Sequence, residues 1–209
     1  EGYERWLARR DGLTVADDQT PPPPMFTPYT VRGLTLKNRV VVSPMAQYSC
    51  VDGLPADYHL VHLGARAMGG AGMVFAEMTC ITPEGRITPG CPGLYNAEQK
   101  AGWKRIADWI HAHSDAKFAM QLGHAGSKAS TRVAWDGTDL PLESGNWPIV
   151  GASAQQYLPG VSQVSKELSK DEMQSLKQRF VEAAQDVNDI GADWLELHCA
   201  HGYLLSEFI

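Results

Sequence analysis

Four short apolar segments, each followed by polar residues, limit what this chain can fold into. They occupy residues 39–43, 73–78, 118–122 and 193–197. Each is shorter than a typical helix and is bounded by Gly, Pro or polar residues, which is typical of a buried parallel strand. A small antiparallel hairpin is predicted before them at 31–36, where Gly33 separates β-type residues.

Segments with apolar residues at helical spacing separate the four strands. Residues 56–68 carry their apolar residues on one face and predict the first helix. Asn96, with Gln99 three residues later, predicts the capped start of a second helix. Ser169 and Glu172 predict a capping box for a third helix, which leads into the fourth strand.

The repeated order of strand and helix predicts an α/β fold. Right-handed crossovers between parallel strands would place the carboxyl ends of all four strands on one face. Four such units would form half of a TIM (β/α)₈ barrel, whose active sites lie at that face. A doubly wound open sheet would give the same pattern, and the sequence does not separate the two architectures.

The polar residues after the fourth strand are the strongest indication of a site. His198, His201 and Tyr203, whose side chains can hold or transfer protons, lie close together in sequence. A zinc site would need a third or fourth ligand at suitable spacing, and Cys199 alternates away from His198 on a strand. Acid–base or carbonyl-binding chemistry is therefore favoured over a metal site.

Two further motifs are interpreted as structural. Residues 69–72 (GGAG) precede a strand and lack the G-x-G-x-x-G spacing of a dinucleotide loop. His59 and His62 form a second H-x-x-H pair, but they fall on a predicted amphipathic helix. We interpret both histidines as partly exposed helix surface.

Composition argues against several classes of function. The net charge of −6 is spread over 209 residues without a basic patch, which disfavours nucleic-acid binding. No apolar run approaches the ~18 residues of a membrane span. The four cysteines show no C-x-x-C spacing and no disulfide framework, which predicts a cytoplasmic protein.

The first 24 residues differ in character from the rest. Residues 3–13 are typical of the last turns of a helix, and residues 21–24 form a stiff polyproline spacer. We therefore predict that residues 1–24 are the tail of an upstream domain plus a linker, and that 25–209 are the barrel half. Because the sequence starts at Glu1 and stops just after its most site-like segment, we expect a piece of a longer protein.

Five motifs occur in a specific order along residues 26–209. They are LKNR at 36–39, SPMAQY at 43–48, PEGRI at 83–87, QLGHAG at 121–126 and HCAHGY at 198–203. Together they resemble the flavin-dependent ene-reductases of the old yellow enzyme superfamily, the NADH:flavin oxidoreductases. The resemblance implies the N-terminal half of a TIM barrel that holds FMN non-covalently and receives electrons from NAD(P)H.

The resemblance also implies a cofactor site. The flavin would be lined by the end of the first strand, by the backbone at the end of the second, and by an amide at the end of the third. The residues concerned are Ser43, Pro44, Met45, Ala46, Met78 and Gln121. An amide side chain suits the pyrimidine edge of the flavin, because it offers both a donor and an acceptor.

A small-molecule substrate would lie over the flavin. By the same resemblance, Tyr48 would shape the substrate pocket, and His198 and His201 would be two fixed donors to a substrate carbonyl oxygen. Tyr203 would be the proton donor. The implied reaction is the reduction of an activated C=C bond in an α,β-unsaturated carbonyl compound.

Three departures from the family pattern bear on this assignment. Ala46 stands where the most similar subgroup often has Cys, and Ser127 stands where Arg is common, which leaves Lys128 as the cation there. The second half of the barrel, with the flavin-phosphate loops, is not in the sequence. A truncated, non-catalytic barrel and a zinc-dependent barrel hydrolase are therefore kept as alternatives.

The proline-rich spacer suggests a larger assembly. It resembles the junction of fusions in which a flavin monooxygenase precedes an old yellow enzyme-like domain and the substrate is an aromatic acyl-CoA intermediate. A homo-oligomer is also compatible with the sequence. The sequence does not distinguish NADH from NADPH.

Overall fold

The N-terminal segment is ordered against the rest of the chain in the computed structural model, which describes residues 2–209. Glu1, the first residue of the predicted tail, lies outside the described residues. Helix α1 (Gly2–Arg10) is followed by irregular chain with two turns and by a 3₁₀ turn at Pro24–Phe26. Asp11, just after α1, forms an ion pair of 2.6 Å with Arg39 at the start of the barrel.

The predicted hairpin is confirmed and consists of β1 (Tyr29–Val31) and β2 (Leu34–Leu36), which pair antiparallel. Its two turn residues, Arg32 and Gly33, both have positive φ, at 47° and 86°. A two-residue turn of this kind matches the right-handed twist of the flanking strands. The hairpin is therefore specified locally.

The predicted alternation of strands and helices is also confirmed. The elements in chain order are β3 (Val41–Val42), α2 (Asp57–Met68), β4 (Met73–Cys80), α3 (Ala97–His113), β5 (Lys117–Gly123), β6 (Val150–Gly151), β7 (Lys166–Glu167), α4 (Lys170–Ile190) and β8 (Trp194–Leu197). The strand predicted at 39–43 is reduced to two residues. Ser169 and Glu172 form the complete capping box of α4.

The cap predicted for α3 forms only in part. The Asn96 side chain accepts a hydrogen bond from the Gln99 backbone N–H at 2.9 Å, as expected. The Gln99 side chain, however, accepts from the Tyr95 N–H at 3.0 Å. One of the two reciprocal bonds of a capping box is thus replaced by a bond to the preceding residue.

Four parallel strands form the central sheet in the order β3-β4-β5-β8. Helices α2, α3 and α4 pack on one face of it and enclose the main core, in which Trp103 and Phe118 are fully buried. Burial of one such side chain stabilises the fold by about 1.5–3 kcal/mol. The curved parallel sheet with one helical layer is about half of a TIM barrel.

The fourth strand is less buried than its sequence suggests, so that prediction was wrong. Leu195 and Leu197 are 37% and 50% exposed. β8 is the edge of the sheet and pairs with β5 alone among the described residues. On the opposite face, Trp194 and Glu196 line a cleft of about 450 Å³ that the hairpin also lines.

The long segment between β5 and α4 is folded back over the ends of the strands. It contains the two-stranded sheet β6–β7 and two 3₁₀ turns. Glu207 fastens it, because its two carboxylate oxygens accept the backbone N–H groups of Ser127 at 2.7 Å and Ala152 at 2.8 Å. The segment therefore forms one wall above the carboxyl ends of the strands.

Within residues 2–209, no helix has the length and apolar character that a membrane crossing requires.

Candidate active site

Three neighbouring strands bring the predicted site residues to one face. Met78 of β4 is in register with Gln121 of β5. His198 follows β8 directly, and its backbone N–H donates to the Leu122 carbonyl at 2.9 Å. Gly123 permits this approach, since a Cβ there would lie 2.6 Å from the Met78 sulfur and 3.4 Å from the His198 Cβ.

The segment after β3 carries the other predicted flavin contacts. It has no regular secondary structure from Ser43 to Cys50. Ser43, Met45 and Ala46 are exposed, whereas Pro44 is half-buried. This segment therefore presents a small, largely apolar surface at the edge of the strand ends.

Tyr48 contacts the long segment between β5 and α4. Its ring meets that of Trp135 edge-on, with centroids 5.7 Å apart. Tyr48, Trp147 and Tyr203 all pack against the same buried cluster, which includes Met78. The predicted pocket residue and the predicted proton donor thus border one space.

His198, His201 and Tyr203 form a compact aromatic group. The His198 ring lies edge-to-face with His201 at 4.9 Å and with Tyr203 at 4.8 Å between centroids. His201 has a φ of +60°, a left-handed conformation that is uncommon for a residue with a side chain. The tight turn after β8 thus folds His201 back toward His198.

The hydrogen bonds of the two histidines specify their protonation. His198 Nδ1 accepts the Ala200 backbone N–H at 3.2 Å, so a neutral His198 carries its proton on Nε2. His198 Nε2 lies 3.2 Å from His201 Nδ1. The His198 proton therefore points at His201, which then keeps its own proton on Nε2.

In this arrangement only one of the two predicted donors is free. His201 Nε2–H is available to an acceptor, whereas His198 Nε2–H is engaged with its neighbour. Both imidazoles can donate to one substrate oxygen only if the His198–His201 bond opens. No sequence pattern predicts this coupling, because it depends on the backbone turn at His201.

Burial favours the uncharged forms of His198 and Tyr203. Burial is the main cause that lowers the pKa of His198, and the neighbouring His201 lowers it further. Burial is also the main cause that raises the pKa of the Tyr203 phenol, and Tyr48 raises it further. A neutral imidazole still donates through its one N–H, and a protonated phenol is the state required of a general acid.

Gln121 keeps only its acceptor oxygen free for the predicted flavin contact. It is buried, and its Nε2 donates to Glu196 Oε1 on β8 at 2.5 Å. This is the strand-end bond to a neighbour that any glutamine could make. Its carbonyl oxygen makes no hydrogen bond within the part of the chain that the structure describes, and it remains available as an acceptor.

Lys128 is a site neighbour whose contacts sequence reasoning missed. Its ammonium donates to the His201 carbonyl at 3.2 Å and lies 4.4 Å and 5.1 Å from the ring centroids of Tyr157 and Tyr203. The motif resemblance indicated a cation at this point but not its contacts. The tryptophans of the long segment were the available sign that this segment builds the wall.

Among residues 2–209, no group of three or more His, Cys, Asp or Glu side chains could hold a metal ion.

Comparison with known proteins identifies the family. The sequence model of the NADH:flavin oxidoreductase / NADH oxidase family, whose cofactor is FMN, matches residues 24–209. The chain is 41% identical over 189 residues to "NADH:flavin oxidoreductase FG08077" of Gibberella zeae, covering 88% of this chain and 46% of that protein. It is 36% identical over 187 residues to the NADPH dehydrogenase of Geobacillus thermodenitrificans, covering 88% and 50%.

Solved structures agree with the sequence comparison. Morphinone reductase superposes with a TM-score of 0.75 at 26% identity, over 87% of this chain and 49% of that one. An old yellow enzyme homologue from Zymomonas mobilis gives 0.74 at 27%, over 90% and 51%. Another structure of morphinone reductase is a complex with tetrahydroNAD, a nicotinamide ligand. The chain spans about half the length of these relatives, and it belongs to the NADH:flavin oxidoreductase / NADH oxidase family.

Proposed function

We propose that the protein containing this chain is an FMN-dependent NAD(P)H oxidoreductase that reduces activated C=C bonds of α,β-unsaturated carbonyl compounds. The observation that carries the proposal is the group of His198, His201 and Tyr203 at the ends of parallel strands. When bound, FMN would supply the hydride-transfer chemistry between NAD(P)H and the alkene. The chain's own residues hold the cofactor, orient the carbonyl and supply a proton.

The residues at the strand ends fit a flavin. The free carbonyl oxygen of Gln121 can accept from the N–H of the pyrimidine edge. Met78 is buried and in register with Gln121, and the segment after β3 offers small or apolar side chains for contacts with the ring, namely those of Ser43, Pro44, Met45 and Ala46.

The two histidines would orient the substrate through its carbonyl oxygen. Negative charge develops on that oxygen as the β-carbon receives hydride. Each donor aimed at it would stabilise the transition state, and one such donor is worth about 3 kcal/mol in comparable sites. Binding would open the His198–His201 bond, so that part of this gain offsets the bond that is lost.

Tyr203 would complete the addition by protonating the α-carbon. The Tyr203 ring lies edge-on against His198, and it packs against the same buried cluster as Trp147 of the long segment. Tyr48 borders the same space and would shape the pocket. General acids typically accelerate such steps by about 10²–10⁴-fold.

We also propose a domain division, a substrate and a location for the protein. Residues 1–24 would be the end of an upstream flavin monooxygenase domain with its linker, and 25–209 would begin the reductase. The family match from residue 24 and the proline-rich segment support this division. The substrate would then be an aromatic acyl-CoA intermediate, and the enzyme would be cytoplasmic.

The proposal is tested with Tyr203→Phe in the complete protein. The change removes the acid and keeps the aromatic bulk against His198. In stopped-flow measurements, flavin reduction by NAD(P)H should be nearly unchanged, because it requires no protonation of the alkene. Flavin reoxidation by an enone should slow by about 10²–10⁴-fold.

Two further variants separate the roles. His198→Ala and His201→Ala should weaken the binding of carbonyl ligands as well as the rate, because their donors act in both the ground and the transition state. Equal slowing of both half-reactions by Tyr203→Phe would contradict the assigned proton transfer. A purified complete protein without flavin absorbance would favour a non-catalytic barrel.

A further inference from the structure

We propose that the buried pair Glu77–His59 positions residues 43–48 against the flavin through the backbone N–H of Gln47. The inference rests on the proposed function, because it assigns these residues to the cofactor site. Neither Glu77 nor His59 would touch the flavin. Both would act through the segment that carries Ser43, Met45 and Ala46.

A β-bulge places Glu77 in this role. In the pairing of β4 with β5, Ala76 is opposite Met120 and Met78 is opposite Gln121, so Glu77 has no partner. A bulged residue is released from the regular alternation of side chains, and bulges are frequent near active sites. Glu77 is consequently an almost fully buried carboxylate in a strand that is otherwise apolar or uncharged.

The carboxylate connects two parts of the chain. Its Oε2 accepts the backbone N–H of Gln47 at 2.8 Å. Its Oε1 lies 3.1 Å from Nε2 of His59 on α2, and the side chains of both members of this pair are 2% exposed. Each oxygen therefore has one specific donor, and a buried charge requires such partners.

His59 is held in one tautomer by its own helix. Its Nδ1 accepts the Ala56 backbone N–H at 3.3 Å, so a neutral His59 carries its proton on Nε2, toward Glu77. The ring also lies edge-on against Trp103 at 5.8 Å. The interpretation of His59 as partly exposed helix surface was therefore wrong, whereas His62 is half-buried as expected.

Residues 43–48 depend on such contacts because they form no ladder with a strand. The Gln47 side chain repeats the arrangement: its Nε2 donates to the Met45 carbonyl at 2.9 Å, and its Oε1 accepts from the Tyr58 hydroxyl at 2.8 Å. Helix α2 thus supports the segment twice, through Tyr58 and through His59. Loss of the Glu77 bond frees the one backbone N–H that is fixed to the sheet.

The test uses Glu77→Gln in the complete enzyme. Gln47 and His59 address different oxygens of Glu77, and an amide of the same shape places an N–H₂ donor at one of these two positions, where it faces another donor. We expect the dissociation constant of FMN, measured by fluorescence titration of apoenzyme, to rise about tenfold or more, since hydrogen bonds to charged groups are the stronger ones. The visible absorption spectrum and the midpoint potential of bound FMN should also change. The matched control is Glu167→Gln, at an exposed position of β7.

A second pair of variants tests the route through His59. His59→Phe keeps the ring and removes the donor. If His59 acts through Glu77, the FMN dissociation constant of the double variant Glu77→Gln/His59→Phe should be no higher than that of the more affected single variant. Glu77→Asp keeps the buried charge but shortens its reach, so it serves if Glu77→Gln does not fold, and it should raise the FMN dissociation constant in the same direction.

The outcomes separate the two proposals. Wild-type apoenzyme that does not bind FMN overturns the proposed function and this inference with it. Wild-type binding with a Glu77→Gln dissociation constant, spectrum and potential equal to the wild type overturns this inference alone. A lower melting temperature with unchanged flavin properties would likewise show a purely structural pair and overturn it.

Discussion

His124 should make the stability of this fold strongly dependent on pH. Its side chain is buried in the motif after β5, and its Nδ1 accepts the Gly126 backbone N–H at 3.0 Å. Its Nε2 is buried and has no hydrogen-bond partner within residues 2–209. Burial lowers the pKa of His124 from its ordinary 6.5 to about 4, and the carboxylate of Glu84 opposes this only in part.

The direction of the effect follows from proton linkage. As the pH falls below 6.5, the unfolded chain binds a proton at this histidine while the folded chain does not. The contribution of His124 is therefore complete above pH 6.5 and decreases until the pH reaches about 4. The difference between those two pKa values corresponds to about 3 kcal/mol of unfolding free energy.

His124→Asn isolates this contribution. Asparagine offers an acceptor at a position similar to Nδ1, so it can retain the bond from Gly126, and it does not titrate. Urea unfolding of the complete protein at several pH values between 7 and 4 measures the free energy of unfolding. The wild type should lose about 3 kcal/mol more than the variant over this range.

The matched control is His113→Asn, at the exposed end of α3, which should keep the wild-type dependence on pH. Parallel curves for the wild type and His124→Asn would refute the reasoning. They would mean that the folded protein protonates His124 as readily as the unfolded chain.

Two further predictions concern the helix cap and the flavin surface. Ser169→Ala removes the capping box of α4 and should lower the unfolding free energy by about 1 kcal/mol in urea titrations. Ser175→Ala, at an exposed position inside the same helix, should have little effect. Ala46→Cys in the complete enzyme places a polarisable thiol beside the proposed flavin and should change the flavin midpoint potential. The control Ala97→Cys, at the exposed start of α3, should leave that potential unchanged. A potential equal to the wild type in Ala46→Cys would mean that residue 46 does not face the ring.

Local patterns predicted most of the fold because local interactions specify it. The hairpin depends on a two-residue turn at Arg32 and Gly33, and α4 begins at a capping box formed by Ser169 and Glu172. The strands were recognisable because a run of apolar residues in a parallel sheet is buried on both faces. Leu197 is the exception, since its exposure follows from the edge position of β8, which no local pattern reports.

The candidate site was predicted in its residue types but not in its connections. His198, His201 and Tyr203 were recognisable because they follow one strand in sequence. The bond between His198 and His201 was not, because it requires the positive φ of His201. The burial of His59 was also not recognisable from the sequence. It depends on Glu77, which a bulge in β4 turns toward His59, and this bulge has no local sequence signal.

A glutamate carboxylate holds each of the two irregular segments that border the site. Glu77 accepts a backbone N–H from the segment after β3, and Glu207 accepts two from the long segment after β5. Irregular segments leave backbone donors unpaired, and burial of such donors is costly unless an acceptor is supplied. A carboxylate supplies two acceptor oxygens and makes stronger, charge-assisted bonds than an amide or a hydroxyl. Charge alone would place such glutamates on the protein surface. They can nevertheless determine where the segments that border the cofactor and the substrate lie.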